Sequence, residues 1–298
     1  MILKISQLTK YFKEQCVLDE VDLEISEPTI MALVAPNGTG KSTFLNIITN
    51  IESASYQEIT ILDKKHTDPS IFKEVTYLQD NSVLYGELTG QDHLDFVASL
   101  HEISKEAQQA LTDRLQMTGY LKKQVKKYSL GMKQHLLFAM AVLPEPQLII
   151  LDEPLNGLDP SSVLRVREIL KELHQEGTTV LFSSHNLDEI DRLTDNIYFL
   201  HEGDFISAKD YHAQRLDYTF VLEEIAQAAA YLAQQQLTFE QLAPKKIEVT
   251  LTQDEYQELL AYCRLNEILI HDTAISEEST QNIYFDLFRS KDYETDEV

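Results

Sequence analysis

The sequence predicts an α/β fold followed by a smaller α+β domain. Two apolar runs, Ile30–Val34 and Leu148–Leu151, carry no polar residue, as in strands buried on both faces of a parallel sheet. Segments with helical periodicity separate such runs up to about residue 208, and the pattern then changes. We therefore predict two domains, residues 1–208 and 209–298.

Composition and charge limit the classes of function. The chain has 298 residues, 43% of them hydrophobic, which is enough for a sizeable core. Its net charge of −24 argues against nucleic acid as a partner, because nucleic-acid binding depends on clustered lysine and arginine. Cys16 and Cys263 lie far apart without metal-ligand spacing, which indicates reduced thiols in the cytosol.

The chain is predicted to begin with strands. Two alternating segments, Ile2–Ile5 and Val17–Ile25, flank a turn and suggest an antiparallel β-subdomain. The next elements in order are a strand at Ile30–Val34, a helix through Phe44–Ile48, and strands at Glu58–Leu62 and Glu74–Leu78.

A helical insertion follows, and the α/β pattern then resumes. Apolar residues at helical spacing between Thr89 and Val125 predict a helical subdomain of about residues 81–135. Beyond it come predicted strands at Gln147–Leu151, Thr179–Ser183 and Asn196–Leu200, with a helix at Val163–Leu173.

Residues 209–298 contain no motif that indicates chemistry. The predicted elements are strands at Tyr218–Leu222 and Ile247–Leu251, helices at Glu223–Gln236 and Asp254–Leu265, and a strand or helix at Asn282–Phe288. Thr252 or Asp254 would cap the second helix. The last seven residues, 292–298, indicate a frayed acidic tail.

A candidate phosphate-binding loop lies between the strand Ile30–Val34 and the helix that follows it. Its residues are Ala35, Pro36, Asn37, Gly38, Thr39, Gly40, Lys41, Ser42 and Thr43. Glycines let successive N–H groups approach a phosphate, and a helix N-terminus adds its positive end. Lys41 would reach the β- and γ-phosphates, and the Ser42 hydroxyl would ligate Mg²⁺. The motif usually opens with glycine, so Ala35 requires a negative φ.

A pair of carboxylates follows the buried strand Leu148–Leu151. Asp152 and Glu153 stand at its C-terminal end, where open α/β sheets place their ligands. Asp152 is suited to hold Mg²⁺ through water, and Glu153 to polarise an attacking water as a general base.

A third motif, Tyr128–Gln134, precedes this strand. Ser129 would cap the helix that continues through Ala141, and its hydroxyl, the Gly131 backbone and the helix N-terminus would form a second anion site. Alone, the segment would be an ordinary helix cap.

With these motifs in this order, residues 1 to about 210 resemble the ATP-binding subunit of ABC transporters. Ala35–Thr43 matches the Walker A motif, Tyr128–Lys133 resembles the signature motif, and Leu148–Glu153 matches Walker B. Asn156–Asp159 matches the D-loop, and Ser183–His185 matches the switch histidine. The resemblance implies a P-loop NTPase core with an antiparallel β-subdomain and a helical subdomain.

The resemblance also implies roles for individual residues. An aromatic residue stacks on adenine, either Phe12 or, as the alternative, Tyr11. His185 contacts the γ-phosphate and helps to hold the water and Glu153, while Asp159 communicates across a dimer interface. The Q-loop glutamine that ligates Mg²⁺ falls in strict register on Asp80, with Gln79 one residue early. The identity of this metal ligand is therefore open.

The resemblance further implies ATP and Mg²⁺ as cofactors and two partners. One is a second ATP-binding subunit, either a copy of this chain or a related one, because a single chain carries one phosphate loop and one signature. The other is a transmembrane permease, since we find neither a membrane-spanning run nor a signal segment. We thus expect a cytoplasmic protein held peripherally on the inner face of the membrane.

The signature variant and the run Tyr85–Gly90 resemble the exporter branch that includes bacitracin-type ATPases. The expected function is therefore ATP-driven export of a drug, peptide or other small amphiphile. The alternatives are a soluble ABC ATPase without a permease and a nucleotide-dependent regulator with negligible turnover. A small-molecule P-loop kinase is disfavoured because it would not need the signature.

Overall fold

The computed structural model describes residues 1–276 and 280–288, without the side chains of 212–215, 275 and 276. The chain forms two compact units, Met1–Phe205 and the residues from Ile206 onward. This division falls close to the boundary that we predict after residue 208. Whether the two units are separate folding domains stays a prediction.

The first unit contains ten strands and six α-helices, and its last strand continues past Phe205 to Ser207. The strands are β1 (Leu3–Phe12), β2 (Gln15–Ile25), β3 (Ile30–Val34), β4 (Glu58–Ile61), β5 (Lys64–Lys65), β6 (Val75–Leu78), β7 (Leu148–Asp152), β8 (Thr179–Ser184), β9 (Ile197–His201) and β10 (Asp204–Ser207). The helices are α1 (Lys41–Ile48), α2 (Gly90–Leu100), α3 (Lys105–Arg114), α4 (Leu130–Val142), α5 (Pro160–Gln175) and α6 (Leu187–Asp191).

A six-stranded sheet with the order β10-β9-β3-β8-β7-β6 forms the centre of the first unit. Its neighbours from β9 to β6 run parallel. Every residue of β3 and β8 is buried, which explains the uninterrupted apolar sequence of β3 and the apolar centre of β8, Val180–Phe182. Because parallel strands end at the same edge, the segments that follow β3, β8 and β7 lie together.

The antiparallel subdomain is a four-stranded sheet with the order β2-β1-β4-β5. Leu3 lies opposite both Ile25 of β2 and Ile61 of β4, and all three side chains are buried. β1 extends beyond the predicted segment to Phe12, with irregular pairing after Ile5. Bulges of this kind interrupt the alternation of buried and exposed residues, so the sequence pattern shows only the first part of the strand.

The helical subdomain contains α2, α3 and the start of α4. Thr89 and Asp92 form a reciprocal capping box at α2, and Ser104 caps α3. Ser129 caps α4 by accepting a hydrogen bond from the Met132 N–H, as the sequence predicts. The parallel sheet, the antiparallel β-subdomain and the helical subdomain together confirm the predicted P-loop NTPase architecture.

The second unit is built on a β-α-β-β-α-β arrangement, flanked by two further helices. Its strands are β11 (Arg215–Leu222), β12 (Phe239–Ala243), β13 (Lys246–Thr252) and β14 (Ile270–Ser276), in the antiparallel order β12-β13-β11-β14. Its helices are α7 (Ala208–Gln214), α8 (Ile225–Gln234), α9 (Gln253–Leu265) and α10 (Thr280–Phe288). Buried side chains of α8 and α9 form one core with those of β11 and β13.

Several details of the second unit differ from the sequence expectation. The sequence does not predict β12 and β14, and β12 is an edge strand with mostly exposed residues and no apolar alternation. The cap of α9 is Thr252, which forms a capping box with Glu255, so Asp254 is not the cap. Residues 282–288 belong to a helix, and the predicted acidic tail lies outside the described residues.

None of the helices within residues 1–276 and 280–288 is both long enough and apolar enough to span a membrane.

Two leucines of α9 give a test of the core of the second unit. Leu259 is fully buried, whereas Leu265 is 83% exposed on the same helix. We expect Leu259→Ala to destabilise this unit by about 2–5 kcal/mol, because it leaves a cavity. Leu265→Ala should change its stability by less than about 0.5 kcal/mol. Amide hydrogen exchange in β13 measures both effects, and equal acceleration by the two substitutions would contradict this packing.

Candidate nucleotide-binding site

Three segments meet at the C-terminal edge of the parallel sheet. The loop of residues 35–40 joins β3 to α1, Asp152 and Glu153 stand at the end of β7, and His185 follows β8. A cleft of about 180 Å³ lies between the first two segments. It is lined by Asn37, Gly38, Gly40, Lys41, Ser42, Thr43, Asp152 and Glu153.

The loop has the backbone geometry that its glycines allow. Gly38 and Gly40 have φ angles of 81° and 117°, in the region that residues with a side chain rarely adopt. A Cβ atom on Gly40 would lie 2.4 Å from Cγ1 of Val17, so strand β2 approaches the loop too closely for a larger residue. Ala35 is fully buried and its φ is not positive, so its methyl group fits where glycine is usual.

Lys41 points back into the loop from the first turn of α1. Its Nζ donates hydrogen bonds to the carbonyl oxygens of Ala35 at 2.6 Å and Pro36 at 3.1 Å. Oε1 of Glu153 lies 4.0 Å from the same nitrogen. Burial lowers the pKa of Lys41, and the carboxylates of Glu153 and Asp152 oppose this shift. The loop therefore encloses a buried ammonium group beside two carboxylates.

Ser183 connects the two carboxylates at the end of β7. Its hydroxyl donates to Oδ1 of Asp152 at 2.5 Å and accepts from the backbone N–H of Glu153 at 3.0 Å. These bonds orient Asp152 toward the cleft and fix the start of the following turn. The first serine of the Ser183–His185 motif thus acts as a structural link between β7 and β8.

Glu153 and His185 form a pair at the edge of this cleft. Nδ1 of His185 lies 2.9 Å from Oε2 of Glu153, and the imidazole remains half exposed. Oε1 of Glu153 is buried without a hydrogen-bond partner within the described part of the chain. The backbone of Glu153 has a φ of 49°, which is strained for a residue with a side chain. Strain and an unsatisfied buried oxygen at one residue are typical of functional sites.

The structure places the two Q-loop candidates in different settings. Asp80 is exposed, and its Oδ1 accepts from the Ser82 N–H at 2.6 Å as the cap of a short 3-10 turn. Hydrogen bonds from the Ser82 hydroxyl and N–H lower the pKa of Asp80. Gln79 is partly buried.

Tyr77 lies near the cleft, and our sequence analysis did not assign it a role. Its hydroxyl donates to Oδ1 of Asn46 on α1 at 3.0 Å. Burial raises the pKa of Tyr77, and the charges of Asp152 and Asp80 raise it further. The hydroxyl therefore lies within the electrostatic reach of both carboxylates. The only available signal was its position within the predicted strand that ends at Leu78.

The signature segment packs against the D-loop of the same chain. Ser129 and Gly131 lie at the N-terminal end of α4, and a Cβ on Gly131 would meet the Gly157 carbonyl oxygen at 2.9 Å. Asp159 caps α5, accepting hydrogen bonds from the N–H and hydroxyl groups of Ser161 and Ser162. These bonds lower its pKa. A cavity of about 510 Å³ includes Ser129, Gly131 and Asp159 in its lining.

Gln134 is a second residue that the sequence analysis did not single out. It lies on α4 and is 6% exposed. Its Nε2 donates to the backbone carbonyl oxygens of Glu153 at 3.2 Å and Pro154 at 3.1 Å. Its place just after the signature motif was the only sequence signal.

Both aromatic candidates for adenine stacking are exposed at the end of β1. Tyr11 lies opposite Cys16 and Phe12 lies opposite Gln15 on β2. A hydrogen bond with Cys16 raises the pKa of Tyr11, and Nζ of Lys10 lies 4.9 Å from the centroid of the Phe12 ring.

No group of three or more histidine, cysteine, aspartate or glutamate side chains within residues 1–276 and 280–288 is arranged to hold a metal ion. The oxygen groups that line the cleft include the Ser42 hydroxyl and the Asp152 carboxylate. These donors suit Mg²⁺, which retains several waters and is commonly bound by one or two protein oxygens together with substrate phosphates.

Comparison with known proteins agrees with this geometry. The family model described as ABC transporter matches residues 18–156. The lantibiotic transport ATP-binding protein SrtF of Streptococcus pyogenes is 34% identical over 210 residues, which cover 70% of this chain and 91% of that protein. The bacitracin transport ATP-binding protein BcrA of Enterococcus faecalis is 30% identical over 225 residues, 73% of each chain.

A solved structure of an ATP-binding subunit of an ABC transporter superposes with a TM-score of 0.65 at 28% identity, over 72% of this chain and 92% of that one. The fold, the ordered motifs and these relatives agree, and the chain belongs to the ABC transporter family as an ATP-binding, ATP-hydrolysing subunit.

Proposed function

We propose that this chain drives the export of a peptide antibiotic or a similar small amphiphile through a separate transmembrane permease. The observation that carries the nucleotide site is the convergence of Lys41, Glu153 and His185 at one edge of the sheet. The cargo class rests on the relatives named for lantibiotic and bacitracin transport.

In this proposal the triphosphate binds to the amides of Asn37–Thr43 at the start of α1. Lys41 would exchange its bonds to the Ala35 and Pro36 carbonyls for the β- and γ-phosphates. Ser42 and Asp152 would hold Mg²⁺, which when bound neutralises phosphate charge. Asp80 is a candidate third ligand because it stands at the Q-loop position in strict register, and Gln79 is the alternative.

Glu153 is the proposed general base for the attacking water. Its Oε1 has no hydrogen-bond partner among the described residues, while its Oε2 lies against His185. One oxygen is thus oriented by the imidazole, and the other is available to accept a proton. His185 would hold this carboxylate and contact the γ-phosphate.

Glu153→Gln tests this assignment. We expect ATP affinity to stay near the wild-type value and phosphate release to fall roughly 10²–10⁴-fold, because the amide cannot accept the proton. Steady-state phosphate release and calorimetric ATP binding on the full chain measure the two quantities. Turnover close to wild type would remove Glu153 from the role of base.

Phe12 is the better placed of the two aromatic residues for adenine stacking. Phe12 lies opposite Gln15 of β2, two positions from Val17, which contacts the phosphate loop at Gly40. Tyr11 lies opposite Cys16, and its hydroxyl forms a hydrogen bond with Cys16. We therefore assign adenine stacking to Phe12, whose ring makes no such bond.

We therefore predict different effects for alanine at these two positions. Loss of a stacking partner typically costs about 1–3 kcal/mol, so Phe12→Ala should weaken ATP binding roughly 5- to 150-fold. Tyr11→Ala should change the dissociation constant by less than about twofold, since the Tyr11 hydroxyl is bonded to Cys16 of β2. Calorimetry in the Glu153→Gln background measures both without turnover. A larger loss of ATP affinity in Tyr11→Ala than in Phe12→Ala would assign adenine stacking to Tyr11.

A second subunit would complete each nucleotide site. The chain has one phosphate loop and one signature, and Ser129 with Gly131 forms the N-terminal end of the 13-residue helix α4. This end would face the γ-phosphate of ATP bound to the partner subunit, with a two-fold axis generating both sites. Asp159 would lie at this interface while also capping α5.

The permease is proposed to bind the apolar surface that follows the Q-loop. We define this surface by its exposed side chains: Val83, Tyr85, Leu88, Phe96 and Leu100. An exposed group of large apolar side chains commonly marks a protein contact. Through it the chain would sit peripherally on the inner face of the membrane. Residues 209–298 are proposed to form an accessory domain of the same subunit.

Tyr85→Asp tests this surface, because Tyr85 is 69% exposed and a carboxylate is costly in an apolar interface. When the full chain is expressed with its permease, we expect the variant to leave the membrane fraction and keep its ATP affinity. Leu265→Asp, at an exposed leucine of the second unit, is the control. Retention of Tyr85→Asp with the membrane at the wild-type level would argue against this docking surface.

A further inference from the structure

We propose that Gln134 is a positioning residue that holds the backbone of Glu153 in its strained conformation. The inference rests on the proposed role of Glu153 as general base. It concerns a contact within one chain, between helix α4 and the turn that follows β7.

The buried side chain of Gln134 serves as a hydrogen-bond donor. Its side chain is 6% exposed, and its Nε2 donates to two successive carbonyl oxygens, of Glu153 and Pro154. A buried amide with satisfied donors resists displacement, because breaking these bonds would leave buried polar groups unpaired. The bonds therefore fix the position of the Glu153 carbonyl relative to α4.

The Glu153 backbone needs such support. A φ of 49° is unfavourable for a residue with a side chain, because its Cβ crowds the neighbouring backbone carbonyl oxygen. The Ser183 hydroxyl holds the N–H of Glu153 at 3.0 Å, and the Asn156 N–H donates to its carbonyl at 3.2 Å. Gln134 adds a second donor to this carbonyl from outside the turn. Together these contacts aim the side chain at Lys41 and His185.

The same helix carries the signature residues. Ser129, five positions before Gln134, caps α4. The first turn of α4 packs on the D-loop, where Leu130 and Gly131 contact Gly157. A movement of α4 would therefore shift the D-loop and, through Gln134, the carbonyl of Glu153. The placement of the base is thereby linked to the position of the signature helix.

The test uses Gln134→Met in the full chain, which keeps the length of the side chain and removes its donors. Gln134→Glu, with the same shape and an acceptor in place of the donor, is the second version. The matched control is Gln108→Met. Gln108 is also a buried glutamine, 5% exposed, and its Nε2 donates to Asp95 at 2.9 Å within the helical subdomain.

We expect Gln134→Met to lower kcat for ATP about tenfold or more, because a small misplacement of a catalytic group is costly, with KM changed less than about twofold. Amide exchange in residues 153–158 of the nucleotide-free protein should accelerate. Gln108→Met should change neither kcat nor exchange in this segment. Wild-type kcat for both Gln134 variants, or an equal loss in Gln108→Met, would overturn the inference.

A double-mutant cycle with Glu153→Gln separates positioning from a general structural effect. If Gln134 acts through the base, Gln134→Met should cause no further loss of kcat once Glu153 is Gln. A full additional loss would overturn the positioning role while leaving Glu153 as the base. Near-normal turnover of Glu153→Gln alone would instead reject the base assignment and this inference with it.

Discussion

The parallel alignment of β7, β8 and β3 is the constraint on which the rest of the site depends. Their carboxyl ends meet at one edge, so that residues from positions 35–43, 152–153 and 183–185 become neighbours. The Ser183 hydroxyl joins two of these strands by bonding both Asp152 and the backbone of Glu153. The phosphate loop, the carboxylate proposed to bind metal and the proposed base are therefore held in fixed positions relative to one another.

Three features of the site are energetically unfavourable, and the packing around the site maintains them. Lys41 is a buried ammonium group, Glu153 has a strained backbone, and one of its carboxylate oxygens is buried without a partner among the described residues. Such features persist where neighbouring elements over-determine the local geometry. Here the fully buried strands β3 and β8 and the buried face of α4 provide this rigidity. Triphosphate would supply the negative charge that the loop backbone and Lys41 are arranged to bind.

The close packing of α4 gives the signature segment a role within its own chain, besides the role that we propose toward a second subunit. Gly131 lies too close to the Gly157 carbonyl to carry a side chain, and Gln134 reaches the turn after β7. Interiors packed at this density transmit displacements, because small shifts cannot be absorbed locally. A helix fixed in this way can link the closure of a neighbouring subunit to the geometry of hydrolysis.

The sequence by itself determined the class of fold, the order of the motifs and the local caps, because each depends on residues close together in the chain. The loop of residues 35–43, the Asp152-Glu153 pair and the Ser129 cap could all be predicted from short patterns. Tertiary structure alone decided that Val17 contacts the phosphate loop, that Asp80 caps a turn, that Tyr77 bonds Asn46 of α1, and that Gln134 reaches the Glu153 backbone. The sequence analysis also did not predict the edge strand β12, because its mostly exposed residues show no periodic pattern. Contacts between residues distant in sequence depend on the register and packing of whole elements, which local residue patterns do not specify.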